Sequence, residues 1–158
     1  MKALVLAAAL AAGPVHAPAA DTATLTVKVE HVSPKGGDVS LALYTAANYE
    51  DDDHPTLDRT VAAEGNGATV VIAGLKPGVY AIKMMQDINR NGKFDTSFLG
   101  LPLEPYGFSN DAKPGLDEPD FARTKFTLVP GTNTMTVTLS DTDGIDVPPR
   151  PARRIASR

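Results

Sequence analysis

Between residues 87 and 95 the chain reads Asp87-Ile88-Asn89-Arg90-Asn91-Gly92-Lys93-Phe94-Asp95. Side chains bearing oxygen stand at the first, third, fifth and ninth places, with glycine at the sixth. This is the opening of the pattern by which a tight loop wraps a calcium ion. A hard cation gathers six or more oxygens onto one point, and a closed turn aims every second side chain inward. Gly92 supplies the backbone freedom that closes the turn, and the carbonyl of Lys93 is placed to serve as the seventh-position ligand. The twelfth place holds Phe98 where a bidentate Glu is expected. Further ligands must therefore come from Glu104, Asp111, Asp117, Glu118 or Asp120, or from water. With Asp87 and Asp95 as the only assured carboxylates, affinity is expected at about 10⁻⁴–10⁻³ M, the range of extracellular calcium modules. The competing reading of the same residues is a plain Asn-Gly turn whose Asp87 and Asn89 side chains bond their own backbone.

Other chemistry is thinly supplied. There is no Cys, which excludes disulfides, thiolate metal sites and cysteine nucleophiles. Past the N-terminal segment only His31 and His54 remain, too few for a three-histidine metal site. No nucleophile-elbow sequence supports a Ser–His–Asp triad. A glycosidase needs two carboxylates facing across a groove; Glu104 with Asp117 or Asp120 is the pair available. Tyr106 and Phe108 form a potential sugar platform, but there is no Trp, and both rings equally suit an apolar plug folding a loop back onto the core.

These residues lie in a connection, residues 86–121, that is far longer than the usual two to six residues between strands. It carries Phe94, Phe98, Tyr106, Phe108 and Phe121, and loops of that length and content form lids or binding surfaces. Around it the periodicity is two. Leu25, Val27 and Val29 mark a strand at 24–30, and Val39, Leu41 and Leu43 another at 38–44. Tyr80, Ile82 and Met84 mark 79–85, with Lys83 on the opposite face. Phe126 and Leu128 mark 122–129, and Met135, Val137 and Leu139 mark 132–140. The short apolar run at 68–73 reads as a strand covered on both faces, and a seventh strand fits 57–63. Gly/Pro/Asn clusters at 34–37, 65–67, 76–78 and 130–131 supply the turns. No segment carries helical apolar spacing over three turns. The expectation is an all-β, two-sheet antiparallel sandwich of about seven strands with one long loop excursion. Residues 46–55, with Glu50-Asp51-Asp52-Asp53, read as a solvated acidic loop.

The chain has 158 residues, 42% of them hydrophobic and 22% charged, with a net charge of −4. That is a globular composition sufficient for one domain, and its sign argues against a nucleic-acid partner. Lys2, the apolar run 3–12 and Ala17-Pro18-Ala19 read as a signal peptide over 1–20, cleaved near Ala19 or Ala20. The run is too short to span a bilayer, and no later transmembrane segment is expected. Residues 21–140 are then the sandwich, and 141–158, rich in Pro and Arg, an extended tail.

Three ordered motifs carry a family resemblance across roughly 24–139. They are Leu75-Lys76-Pro77-Gly78-Val79-Tyr80-Ala81 with the 87–95 run, Gly100-Leu101-Pro102-Leu103-Glu104-Pro105-Tyr106-Gly107-Phe108-Ser109-Asn110, and the Pro119-Asp120-Phe121 step into a strand. Together they resemble an exported bacterial family known as domain of unknown function 2141. The resemblance implies a secreted or periplasmic β-sandwich, akin in architecture to prealbumin-like, Ig-like and adhesin-repeat domains, and it brings no established activity. Gln86 stands where many members carry His, which removes a nitrogen ligand beside the loop. The 87–95 run is also similar to calcium loops in B-type repeats of bacterial surface adhesins.

The expected function is an exported, non-catalytic binding or structural domain. Calcium is expected at Asp87, Asn89, Asn91, Lys93 and Asp95, and a ligand-binding surface at Glu104, Tyr106, Phe108 and Asn110. Its partner would be an envelope polysaccharide or a protein. The alternative is a polysaccharide hydrolase or carbohydrate-binding module using the carboxylates and aromatics of 86–121.

Overall fold

The computed structural model describes residues 22–115 and 117–140; the signal-peptide and tail segments read from the sequence lie outside them. Eight strands form: β1 (Ala23–Glu30), β2 (Asp38–Tyr44), β3 (Leu57–Ala62), β4 (Gly67–Leu75), β5 (Gly78–Asp87), β6 (Tyr106–Phe108), β7 (Phe126–Leu128) and β8 (Gly131–Thr138). A helical turn, α1 (Phe121–Thr124), precedes β7. One sheet is ordered β4-β1-β8 and the other β3-β2-β5-β6, with β7 pairing the start of β5.

Alternation decides which face is buried. Leu25, Val27 and Val29 of β1 and Val70 and Ile72 of β4 meet Val39, Leu41 and Leu43 of β2 and Ile82 and Met84 of β5 in one core. Removing each of the larger of these side chains from water stabilises the fold by about 1.5–3 kcal/mol. The two sheets are thus held face to face as the sandwich expected of one-sided strands.

Four features depart from the sequence reading. β1 and β8 pair in parallel, Ala23 opposite Gly131 and Glu30 opposite Thr138, so the first sheet is mixed rather than wholly antiparallel. The reason is the crossing at 129–131: β7 stays with β5, while Gly131, at φ +89°, sends β8 across to β1. The segment 68–73 is not doubly covered; β4 is a sheet edge and Val71 is 57% exposed. The strand read over 122–129 is only Phe126–Leu128, because Asp120 Oδ1 accepts the N–H of Arg123 (3.0 Å) and caps α1 instead. The 46–55 loop is not simply solvated: Tyr49 is buried and its hydroxyl donates to the carbonyl of Pro119 (2.7 Å).

Candidate functional site

β5 ends at Asp87, and the chain turns at once. Asp87 Oδ1 accepts the N–H of Asn91 (3.0 Å) and Oδ2 that of Gly92 (2.7 Å). Asn89 Oδ1 accepts from the same Asn91 N–H (3.0 Å), and Asn91 Oδ1 from that of Lys93 (2.8 Å). Side-chain oxygens at places one, three and five therefore point into the turn and hold it closed. Arg90 at φ +57° and Gly92 at φ +77° supply the left-handed steps this requires. Across the turn, the Asp95 carboxylate accepts from Asn89 Nδ2 (2.7 Å) and from Asn91 Nδ2 (2.9 and 3.0 Å). Asp87, Asn89, Asn91 and Asp95 are thus brought together, and Lys93 contributes backbone only.

Glu104 closes the loop from behind. It is fully buried; Oε1 accepts the N–H of Ile88 (2.9 Å) and Oε2 that of Asp95 (3.0 Å), so one carboxylate clasps both ends of the turn. Burial raises its pKa, the two N–H donors oppose that, and the nearby charges of Asp87 and Asp95 add to the rise. The loop also rests on the β1–β2 turn. Gln86 Oε1 accepts the N–H of Ser33 (2.7 Å), while its Nε2 donates to the carbonyls of Ser33 (2.9 Å) and Gly36 (2.6 Å). Arg90 reaches back to Asp38 Oδ1 (3.1 Å) and the carbonyl of Gly37 (3.3 Å). Gly37 lies against the Asp87–Ile88 backbone, where a Cβ would come within 2.6 Å of Ile88 Cα.

The loop's oxygens suit a hard cation, and their charge is in surplus around Glu104. As folded, however, the two Asn amides turn nitrogen rather than oxygen toward Asp95. Among the described residues, no three His, Cys, Asp or Glu side chains are gathered as a metal cluster. Phe98, at the twelfth place, is 96% exposed and no ligand.

The expected Glu104–Asn110 surface divides. Glu104 is enclosed in the loop and faces neither Asp117 nor Asp120, and the latter caps α1. Asn110 braces α1, its Nδ2 donating to the carbonyls of Arg123 (3.2 Å) and Lys125 (2.9 Å). Only Tyr106, half-buried, and Phe108, itself buried at 5% exposure, share a face. They continue the outer face of the second sheet as β6, opposite Met85 and Lys83, in an edge-to-face ladder with Phe94 (5.8 and 5.9 Å between centroids). This face floors an open groove of about 690 Å³.

Beside Phe108, on the same face, stands an assembly the sequence did not disclose. Lys83 Nζ lies 2.7 Å from Asp52 Oδ1 and 2.6 Å from Glu118 Oε2, and over the rings of Tyr44 (5.2 Å) and Tyr49 (4.5 Å). Burial alone would lower the lysine's pKa, but the two carboxylates more than offset it and raise it. Burial, reinforced for Tyr44 by Asp52, raises both tyrosines. The only sequence signal was Lys83 standing alone on the outward face of β5.

A family model described as "Uncharacterized protein conserved in bacteria (DUF2141)" matches residues 27–136. No curated protein and no solved structure matches the chain.

Proposed function

Because the chain belongs to this uncharacterized bacterial family, we propose that it acts outside the cytoplasm as a non-catalytic binding or structural domain whose 86–121 excursion is ordered by calcium. The observation that carries this is the closed 87–95 turn. Its oxygens at places one, three and five are already aimed inward by their bonds to the N–H groups of Asn91, Gly92 and Lys93. A carbonyl or carboxylate oxygen that accepts one such bond keeps a second lone pair for a cation. Asp87, Asn89, Asn91, Asp95 and the Lys93 carbonyl would hold the ion. The ion would supply counter-charge to three neighbouring carboxylates and cross-link the two ends of the turn.

The test compares thermal midpoints of the full chain with calcium and with chelator, for wild type and for Asp87→Ala and Asp95→Ala. At a calcium concentration ten times Kd, mass action adds about 1.4 kcal/mol, a rise of about 5 °C for a domain of this size. The rise should vanish in both variants. Magnesium, which demands a tighter octahedron and keeps its waters, should give less. Identical wild-type midpoints in millimolar calcium and in chelator would leave only the Asn-Gly turn.

A further inference from the structure

The groove on the outer face of β3-β2-β5-β6 is lined partly by aromatic and partly by acidic side chains. Beside β6 its wall is mainly apolar, with Phe94, Tyr106, Phe108 and Met85, and with the cation Lys93 next to Phe94. Its acidic lining is Asp58 on β3, Asp52 and Asp53 in the 46–55 loop, and Glu118, which meets Asp52 over Lys83. Lys83 already sits between Asp52 and Glu118, and neither Asp53 nor Asp58 has an ion pair among the described residues. Such a groove fits an extended segment that is apolar and rigid at one end and multiply cationic.

The chain itself carries that segment, and it departs from the right place. Ser140 is the last described residue. Its N–H donates to the carbonyl of Tyr106 (2.7 Å), and its Oγ accepts the N–H of Tyr106 (3.0 Å). Whatever follows residue 140 therefore starts at the aromatic end of the groove. The following sequence has its acids first, Asp141, Asp143 and Asp146. Then come Pro148, Pro149 and Pro151 among Arg150, Arg153, Arg154 and Arg158, with no acid after 146. From β6 to β3 is three strand spacings, about 14–15 Å. Residues 141–147 extended reach about 23 Å, so the arginines can stand over Asp53 and Asp58 without strain. Proline-rich chain in its extended helix is the form that aromatic-lined grooves accept at low entropic cost. Tethering raises its local concentration to about the millimolar range, so weak contacts suffice.

We propose that residues 148–158 of the same chain occupy this groove, prolines against Tyr106 and Phe94 and arginines against Asp53 and Asp58. The groove is then self-covered, and a competing ligand must be another Pro/Arg-rich or oligocationic segment. The inference does not depend on calcium, since only Phe94 among these residues belongs to the 87–95 loop.

The absence of cysteine makes the test direct. Ser157→Cys in the full chain takes a single nitroxide, and paramagnetic broadening is read on backbone amides. Broadening should concentrate on Ala42, Thr60, Met85 and Tyr106, and spare Thr26, Lys28 and Thr69 of the opposite sheet. Adding Asp53→Asn and Asp58→Asn, both at exposed positions, should weaken occupancy about fivefold to tenfold. Salt at 0.5 M should do likewise, since the screening length shrinks to a few ångströms. A mixture of labelled and isotope-enriched unlabelled chains should show none of it. Broadening that is uniform, that falls on the opposite sheet, that survives the double substitution, or that appears in the mixture (a second copy seated in trans) overturns the proposal.

Discussion

Gln86 makes the sharpest claim about what positions the loop. Its side chain is fully buried and makes three hydrogen bonds to the 33–36 backbone, at 2.7, 2.9 and 2.6 Å. Gln86→Leu preserves volume and removes all three. A buried N–H left without an acceptor costs about 1–3 kcal/mol, and the two stranded carbonyls add less, so the loss should be about 3–4 kcal/mol. Against a typical total of about 5–15 kcal/mol, that is a large fraction. With a urea slope of about 2 kcal/mol/M, the unfolding midpoint should fall by about 1.5–2 M at unchanged slope. Gln86→Glu is the companion: Oε1 can still accept from Ser33, but the second oxygen then faces two carbonyls. The carboxyl should titrate above its ordinary range. Folded chain then binds the proton more tightly than unfolded chain, so this variant should gain stability as pH falls through that window. A Gln86→Leu midpoint within about 0.5 M of wild type would mean that water replaces the amide, and that the 33–37 turn does not brace the loop through this residue.

Two further outcomes follow from the same geometry. Gly37→Ala forces a Cβ into the Asp87–Ile88 backbone at φ +96°. Both backbones adjoin the Asp38–Asp87 rung that joins β2 to β5 and cannot yield without disturbing it, so it should cost about 3 kcal/mol or more, measured by urea unfolding, and should abolish any calcium response. Lys83→Met should cost about 1–2 kcal/mol near neutrality through lost ion pairs and ring contacts. Because the folded lysine's pKa is raised, that advantage is complete below about pH 10.4, the unfolded value, and is lost as pH rises toward the folded one. Urea midpoints of the two proteins should converge above that pH; a gap that stays constant to pH 12 would refute the assignment.

What could be read in advance was what alternation encodes. β1, β2 and β5 announce themselves because one face of each is uniformly apolar, and β3 emerges where the weaker 57–63 run suggested. Partnership is another matter. Nothing in Met135, Val137 and their neighbours says that β8 runs parallel to β1, since direction is set by the crossing at Gly131 and not by periodicity. The cap at Asp120 was not read at all: the apolar spacing of Phe126 and Leu128 was extended back to 122, across the helical turn that Asp120 starts. β6, three residues long, is below the length at which a period can be seen. Within the site, local spacing brought Asp87, Asn89, Asn91 and Asp95 together correctly because they lie within one turn. The partners separated by long stretches of chain were not legible: Gln86 with Ser33, Lys83 with Asp52 and Glu118, Glu104 with Ile88. Glu104 and Asn110, expected on a surface that the ordered loop presents, each spend their polarity on backbone N–H or carbonyl groups instead.

The parallel seating of β8 beside β1 has a mechanical corollary. The described chain enters at one end of this eight-position ladder and leaves at the other. Tension between residues 22 and 140 therefore pulls the two strands lengthwise past each other, perpendicular to their hydrogen bonds. All the rungs bear the load at once instead of parting one after another as in an unzipped hairpin. A protein strung by these two ends resists stretching in its stiffest direction.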